Sequence, residues 1–114
     1  MLQTKHLQIR ARNIVKELIP FISKEEKILD IGCGSGWISY YLKKEGFNIV
    51  LCDTTCCIGY DDTVVHIINN DQIPFKKNEF DVALLVSVLH HAQNPQKVIS
   101  EAKRVAKRVI VLEL

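Results

Sequence analysis

The chain has 114 residues, 47% of them hydrophobic and 25% charged, with a formal net charge of +2. This length suits one domain with one sizeable core that needs no disulfide or metal. The composition argues against a disordered or low-complexity chain, and the small charge argues against a nucleic-acid footprint or a polybasic membrane anchor. We therefore expect a single domain over residues 1–114, with a leading helix in residues 1–22 and a core in residues 27–114.

The amino-terminal segment and the cysteines give information on the cellular location of the chain. Its first residues alternate charged and apolar side chains, unlike a signal peptide, and no stretch approaches the roughly 20 apolar residues of a membrane span. The four cysteines form no C-x-x-C pair, although Cys33, Cys52 and Cys56 could come close in the fold. Because paired ligands and a histidine partner are missing, we expect no metal site. The lack of a signal-peptide pattern favours a cytoplasmic location, where we expect free thiols.

Helix and strand patterns alternate along the chain. Apolar residues recur at helical spacing before Pro20, which stops the first helix. A continuous apolar run over 80–87 is typical of a strand buried on both faces of a parallel sheet. Asn94 and Pro95 suit the N-cap and first turn of a last helix. The predicted elements, in chain order, are a helix over 4–19, a strand over 27–31, a helix over 36–46, strands over 48–52, 63–68 and 80–87, a helix from 95 whose apolar stripe includes Ala106, and a strand over 108–114.

This alternation predicts an α/β fold, a doubly wound, Rossmann-like parallel sheet with right-handed crossovers. We expect about five strands in the order 3-2-1-4-5. The connection over residues 54–62 is the exception, because a crossover helix has little room there.

Three of the five glycines, Gly32, Gly34 and Gly36, fall directly between the first strand and the second helix. Such glycines allow a sharp turn and bring backbone N–H groups close to a ligand, at the end of the sheet where ligands bind. A dinucleotide fingerprint would need glycine where Trp37 stands, which weakens the case for NAD or FAD. No Gly-Lys-Ser/Thr follows, which excludes a P-loop.

The segment Asp30–Gly36 resembles the first motif of the class I S-adenosylmethionine-dependent methyltransferases, acidic-x-G-x-G-x-G, at every defined position. Residues 71–75 resemble the adenine-binding segment of that family. Residues 80–92 resemble the fourth-strand motif of its small-molecule and quinone-type branch, and residues 101–111 resemble the helix and strand that follow. The resemblance covers about residues 27–114.

The resemblance implies S-adenosylmethionine as cofactor and methyl transfer to a small molecule as activity. It implies that His91 or His90 acts as a general base if the acceptor loses a proton, and we expect only one of them to face the site. No Asn/Asp-Pro-Pro-aromatic motif and no Pro-Cys pair is present, so a nucleic-acid partner is not expected. A membrane partner is not expected either, because no apolar span is present. The expected cofactor contacts are Asp30, Gly32, Cys33, Gly34, Gly36, Asp53, Thr54, Asp71, Gln72, Ile73, Ser87 and Val88.

The family's usual sheet has seven strands, including an antiparallel hairpin after the fifth, whereas this chain stops at Leu114. We therefore expect a truncated core that lacks the hairpin, and a second copy or another protein covering the edge of the fifth strand. The missing elements usually build the acceptor pocket. A cofactor-binding subunit without turnover of its own is the alternative function, and a nucleotide-binding oxidoreductase is a third.

Overall fold

The computed structural model describes residues 2–114, with side chains from Thr4 onward. Its five strands are all parallel and lie in the order β3-β2-β1-β4-β5. The predicted doubly wound, Rossmann-like sheet and its strand order are confirmed. The elements are α1 Leu2–Leu18, a 3₁₀ turn Ile19–Phe21, β1 Lys27–Ile31, α2 Trp37–Lys44, β2 Asn48–Asp53, β3 Val65–Ile67, β4 Phe80–Val86, a 3₁₀ turn Leu89–His91, α3 Pro95–Val105 and β5 Ala106–Leu112.

Helices cover both faces of the sheet. On one face, buried residues of α1 and α2 such as Leu18 and Leu42 pack against Ile28 of β1. On the other face, Ala102 and Val105 of α3 belong to a second buried cluster. The central strands therefore have apolar contacts on both sides, which explains why β4 is a continuous apolar run.

Strand β3 is shorter than predicted. It covers only Val65–Ile67 rather than residues 63–68, and it pairs with β2 from Leu51 to Asp53. It lies at the edge of the sheet, and the preceding Val64 is 72% exposed. The β-branched residues favoured a longer strand, but β2 ends at Asp53 opposite Ile67, and the residues before Val65 do not pair with the rest of β2.

Strand β5 begins earlier than predicted, at Ala106 rather than residue 108. Ala106 has extended backbone angles and pairs with Phe80, so α3 passes into β5 without a loop. Its assignment to the stripe of the last helix is therefore wrong. The side chain is still buried at 2% exposure, because the strand continues into the core that the helix covers.

The parallel arrangement brings the carboxyl ends of β1, β2 and β4 to one edge of the sheet. The glycine turn follows β1, Asp53 ends β2, and Ser87 follows β4 with a positive φ of 53°. This edge is where a ligand binds in such a sheet. Among residues 2–114, no helix is long and apolar enough to cross a membrane.

Candidate functional site

The glycine turn between β1 and α2 is bonded to β2 through its backbone. The N–H groups of Gly32 and Cys33 donate to the carbonyl oxygen of Cys52 at 2.8 and 3.2 Å. Gly32 has a φ of +72°, and a Cβ there would lie 2.8 Å from Cγ2 of Val88. Both the backbone conformation and the contact with Val88 therefore require glycine at this position.

Two cavities lie beside the glycine turn. The first is about 290 Å³ and the second about 440 Å³, and Gly32 and His91 line both. Of the predicted site residues, the first cavity is lined by Asp30, Gly32, Cys33, Gly34, Ser87, His90 and His91. The second is lined by Gly32, Asp53, Thr54, Asp71, Ile73, Val88 and His91.

Asp30 contributes a buried carboxylate to the first cavity. It is 2% exposed, and its Oδ2 accepts a hydrogen bond from Ser39 Oγ at 2.7 Å. Burial raises the pKa of Asp30 to about 6; the bond from Ser39 opposes that rise, and the nearby charge of Asp53 adds to it. The group is therefore charged at neutral pH at a cost in free energy, which a cation in this cavity would lower.

Asp53 links the glycine turn to the second cavity. Its Oδ2 accepts from the N–H of Gly34 at 2.8 Å, and its Oδ1 accepts from the N–H of Thr54 at 2.7 Å. These two bonds fix the orientation of the carboxylate. Its remaining acceptor capacity is available to hydroxyl groups in the second cavity.

Two predicted contacts, Gln72 and Gly36, line neither of these cavities. Gln72 is exposed and its N–H donates to Asn69 in a tight turn, so its neighbours Asp71 and Ile73 line the second cavity without it. A Cβ at Gly36 would lie 2.9 Å from Tyr60 Oη. That glycine therefore permits close packing of the β2–β3 connection.

Both histidines line the first cavity, so the expectation that only one faces it is wrong. They lie together in the 3₁₀ turn after β4, with ring centroids 3.9 Å apart. Glu113 holds this turn: its carboxylate accepts from the N–H of Leu89 at 2.8 Å and bonds His90 Nδ1. The hydrogen bond with His90 lowers the pKa of Glu113.

Arg10 is a site residue that the sequence analysis missed. It lies on α1, lines the first cavity, and donates through Nη2 to Ser87 Oγ at 3.2 Å. Leu7, Ala11 and Ile14 of the same helix line this cavity as well. The available signal was that Arg10 stands beside these apolar residues in the sequence. Tertiary packing turns this face of α1 toward the carboxyl ends of the strands.

Burial argues against a reactive thiolate at Cys33 and Cys52. Cys33 lines the first cavity and Cys52 is buried, and burial raises the pKa of both thiols. Cys56 and Cys57 are exposed. Within the described part of the chain, no three His, Cys, Asp or Glu side chains are grouped so as to hold a metal ion.

Comparison with known proteins gives a consistent set of relatives. A family described as a methyltransferase domain matches residues 29–109. An uncharacterized protein of Methanocaldococcus jannaschii is 52% identical over 44 residues, which are 39% of this chain and 22% of that protein. A ubiquinone biosynthesis O-methyltransferase of Actinobacillus pleuropneumoniae is 27% identical over 97 residues, covering 72% of this chain and 42% of that protein.

Among solved structures, a SAM dependent methyltransferase from Aquifex aeolicus has a TM-score of 0.66 at 24% identity, covering 84% of this chain and 57% of that one. This likeness concerns the fold. The chain spans less than half the length of each of these two curated relatives.

Proposed function

The chain belongs to the family of methyltransferase domains, as its glycine motif predicted, and on this premise we propose that it binds S-adenosylmethionine and methylates a hydroxyl group of a small molecule. One observation carries the proposal. Asp30, Asp53 and Asp71, which the resemblance to the methyltransferases implied as cofactor contacts, line two cavities that share Gly32.

The first cavity fits the methionine end of the cofactor. The buried carboxylate of Asp30 suits the ammonium group and the guanidinium of Arg10 suits the carboxylate, as opposite charges favour each other. Gly32 and Gly34 keep the wall free of side chains, and no atom lies within 4 Å of a Cβ built at Gly34. Cys33 and Ser87 line the same space as small neutral residues.

The second cavity fits the adenosine end. Asp53 and Thr54 would accept the ribose hydroxyls, while Ile73 and Val88 would pack on the adenine ring and Asp71 would accept from its exocyclic amine. When bound, S-adenosylmethionine supplies an already activated methyl group. The chain then has to bind the cofactor and the acceptor, align them, and exclude water.

His90 is the proposed proton acceptor. Because its Nδ1 is bonded to Glu113, the ring can present Nε2 as a base, as in other carboxylate–histidine pairs. A hydroxyl acceptor must lose a proton, and the names of the O-methyltransferase relatives support oxygen as the acceptor atom. Leu7, Ile14 and Trp37 give the first cavity an apolar part that favours an apolar acceptor body. His91, which lines both cavities, is the second candidate base.

Calorimetric titration of the full chain tests cofactor binding. We expect S-adenosylmethionine and S-adenosylhomocysteine to bind and NAD not to bind. Asp53→Ala should weaken binding about tenfold or more, since it removes an acceptor that the turn holds in place. Asp61→Ala is the matched control, because Asp61 is exposed and lines neither cavity. Absence of binding by both sulfur compounds, with no effect of Asp53→Ala, would refute the proposal.

A panel of phenols, catechols, amines and thiols tests the acceptor, with S-adenosylhomocysteine formation as the readout. We expect turnover of a hydroxyl compound, reduced about tenfold or more by Glu113→Gln with unchanged affinity for S-adenosylhomocysteine. Turnover confined to amines or thiols would contradict the choice of oxygen.

The open edge of β5 supports a partner. β4 is its only strand neighbour among the described residues, and Val111 on this edge is 47% exposed. A parallel strand with such an edge invites pairing, and we propose that a second copy covers it. Light scattering at micromolar concentration should show a dimer that Val111→Lys dissociates. A monomeric wild-type chain would contradict the dimer, and methylation only after addition of another protein would favour a partner-dependent subunit.

A further inference from the structure

The loop that lines the second cavity is held by two charged side chains of α3. The N–H of Ile73 donates to Glu101 Oε1 at 2.9 Å. Arg104 donates to the carbonyl oxygens of Ile73 and Phe75, at 2.8 Å in each case. The polar backbone groups of Ile73 are thus bonded to a side chain of the last helix on both sides.

Glu101 and Arg104 also bond each other. Arg104 Nε and Nη2 donate to the two carboxylate oxygens of Glu101 at 2.6 and 2.9 Å. Such a two-point pair has a fixed geometry, unlike a contact through a lysine ammonium. The hydrogen bond from Arg104 lowers the pKa of Glu101, so the carboxylate remains charged and the pair persists over the neutral range.

The same loop contains backbone that needs external support. Asn70 and Asp71 have positive φ values of 51° and 61°. Residues in this conformation persist where the surroundings hold them. The main chain of Arg104 adds a further hold, because its carbonyl oxygen accepts from the N–H of Asn78 at 2.8 Å.

We infer that the Glu101–Arg104 pair is a positioning unit for the adenine end of the cofactor, a role that rests on the proposed function. The bonds of the pair fix Ile73, whose side chain is 4% exposed and lines the second cavity. Fixing Ile73 also restrains Asp71, two positions earlier in the same loop, which would accept from the adenine amine. Glu101 lines the cavity, but its oxygens are taken by Arg104 and Ile73, so it acts through the loop.

A second arginine–glutamate pair provides a matched control. Arg108 on β5 bonds both oxygens of Glu26 and donates to the carbonyl oxygen of Phe21 at 2.7 Å. The side chain of Arg108 is 45% exposed and that of Arg104 is 36% exposed. The two pairs are therefore alike in chemistry and exposure, but Arg108 and Glu26 line neither cavity.

The experiment compares Arg104→Met, Arg104→Lys and Arg108→Met with the wild-type chain. Calorimetry measures binding of S-adenosylhomocysteine and of its analogue with a 6-oxo group in place of the 6-amino group. We expect Arg104→Met to weaken binding of S-adenosylhomocysteine about tenfold and to reduce the preference over the 6-oxo compound, with Arg108→Met unchanged in both. Arg104→Lys should not restore the preference, because one ammonium cannot bond both carbonyls and both carboxylate oxygens.

The outcomes distinguish a failure of the proposed function from a failure of the positioning role. If the wild-type chain does not bind S-adenosylhomocysteine, the proposed function fails and this inference fails with it. If the wild-type chain binds and the Arg104 variants keep its affinity and preference, the positioning role alone is refuted. Equal losses in Arg104→Met and Arg108→Met would also refute it, since they would indicate a general loss of stability.

Circular dichroism shows whether Arg104→Met folds. If it does not, Glu101→Gln takes its place, because the amide oxygen can still accept from Ile73 while the charge that orients Arg104 is lost. A smaller preference for the amino compound in Glu101→Gln supports the inference, and an unchanged preference overturns it.

Discussion

The two halves of the site are held by different kinds of contact. The glycine turn, Asp30–Gly36, is bonded to β2 mainly through backbone groups, with Asp53 reaching Gly34 across 19 positions of sequence. The adenine loop, Asp71–Phe75, is bonded to α3 through charged side chains 28 to 31 positions away. Substitutions should therefore disturb the turn mainly where they add a Cβ that is not tolerated. They should disturb the loop where they change a distant side chain of α3.

The two halves also differ in the electrostatic environment of their acidic side chains. The turn begins with Asp30, a buried acid whose side-chain partner is the hydroxyl group of Ser39. The loop contacts Glu101, an acid already bonded to an arginine. Titration should therefore affect ligand binding through the turn, and substitution of an ion pair should affect it through the loop.

The largest effect is expected from Gly32→Ala. The new Cβ would lie 2.8 Å from Val88 Cγ2 at a φ of +72°, so the turn and the junction of the cavities must shift. We expect affinity for S-adenosylhomocysteine to fall about a hundredfold, together with a loss of about 2–3 kcal/mol in the free energy of unfolding. Calorimetry and urea unfolding measure the two effects.

Gly34→Ala is the control for backbone strain alone. Its φ is +54°, but no atom lies within 4 Å of the added Cβ. We expect a loss of only about 1 kcal/mol in the free energy of unfolding. Equal losses of stability in the two variants would contradict the importance of the contact with Val88, and so would a failure of Val88→Ala to restore part of the stability of Gly32→Ala.

A smaller effect is expected from pH, through Asp30. Its pKa is about 6 in the folded chain and 3.8 as an ordinary value, so the folded state binds more protons between these values. The contribution of Asp30 to stability should therefore fall as pH rises from about 4 to about 6, by at most about 3 kcal/mol. Affinity for S-adenosylhomocysteine should rise over the same interval, because the charged carboxylate attracts the ammonium.

Asp30→Asn separates these two trends from those of other acids. The amide oxygen can still accept from Ser39, but the group no longer titrates. Both pH dependences should become flatter in urea unfolding and calorimetry at pH 5 and pH 7.5. A variant whose affinity keeps the pH dependence of the wild-type chain would show that another group is responsible.

The smallest effect is expected at the start of α3, the helix that holds the adenine loop. Asn94 caps this helix by accepting from the N–H of Lys97 at 3.2 Å. Asn94→Ala should lower the free energy of unfolding by about 1 kcal/mol, whereas Asn94→Ser should retain most of the cap. Urea unfolding measures this difference.

Asn94 lines the second cavity, and both of these variants remove its side chain, so a comparison between them isolates the cap. Their affinities for S-adenosylhomocysteine should differ by less than about twofold, which is well under 1 kcal/mol. A larger difference would indicate that helix stability, rather than the Glu101–Arg104 pair, sets the position of the loop.

Much of the fold could be predicted from the sequence because its signals are local. The bounds of β1 are those of the apolar run Lys27–Ile31, and Asn94 is the N-cap that its side-chain chemistry indicated. The errors fall where long-range pairing decides, as at the ends of β3 and at the start of β5. Parallel order brings Asp30 and Asp53 to one edge of the sheet, whereas Asp71 lies beyond β3 in a loop that Glu101 and Arg104 hold.

The sequence by itself determined the family, the strand order and the acids at the strand ends, because glycine spacing and apolar runs act over a few residues. Only the tertiary structure decided that Gln72 lies outside the cavities, that Arg10 lines the first one, that Glu113 bonds the turn that carries His90, and that Glu101 with Arg104 holds the wall of the second. These contacts join residues far apart in the chain, and no local pattern encodes which distant backbone group a charged side chain will bond.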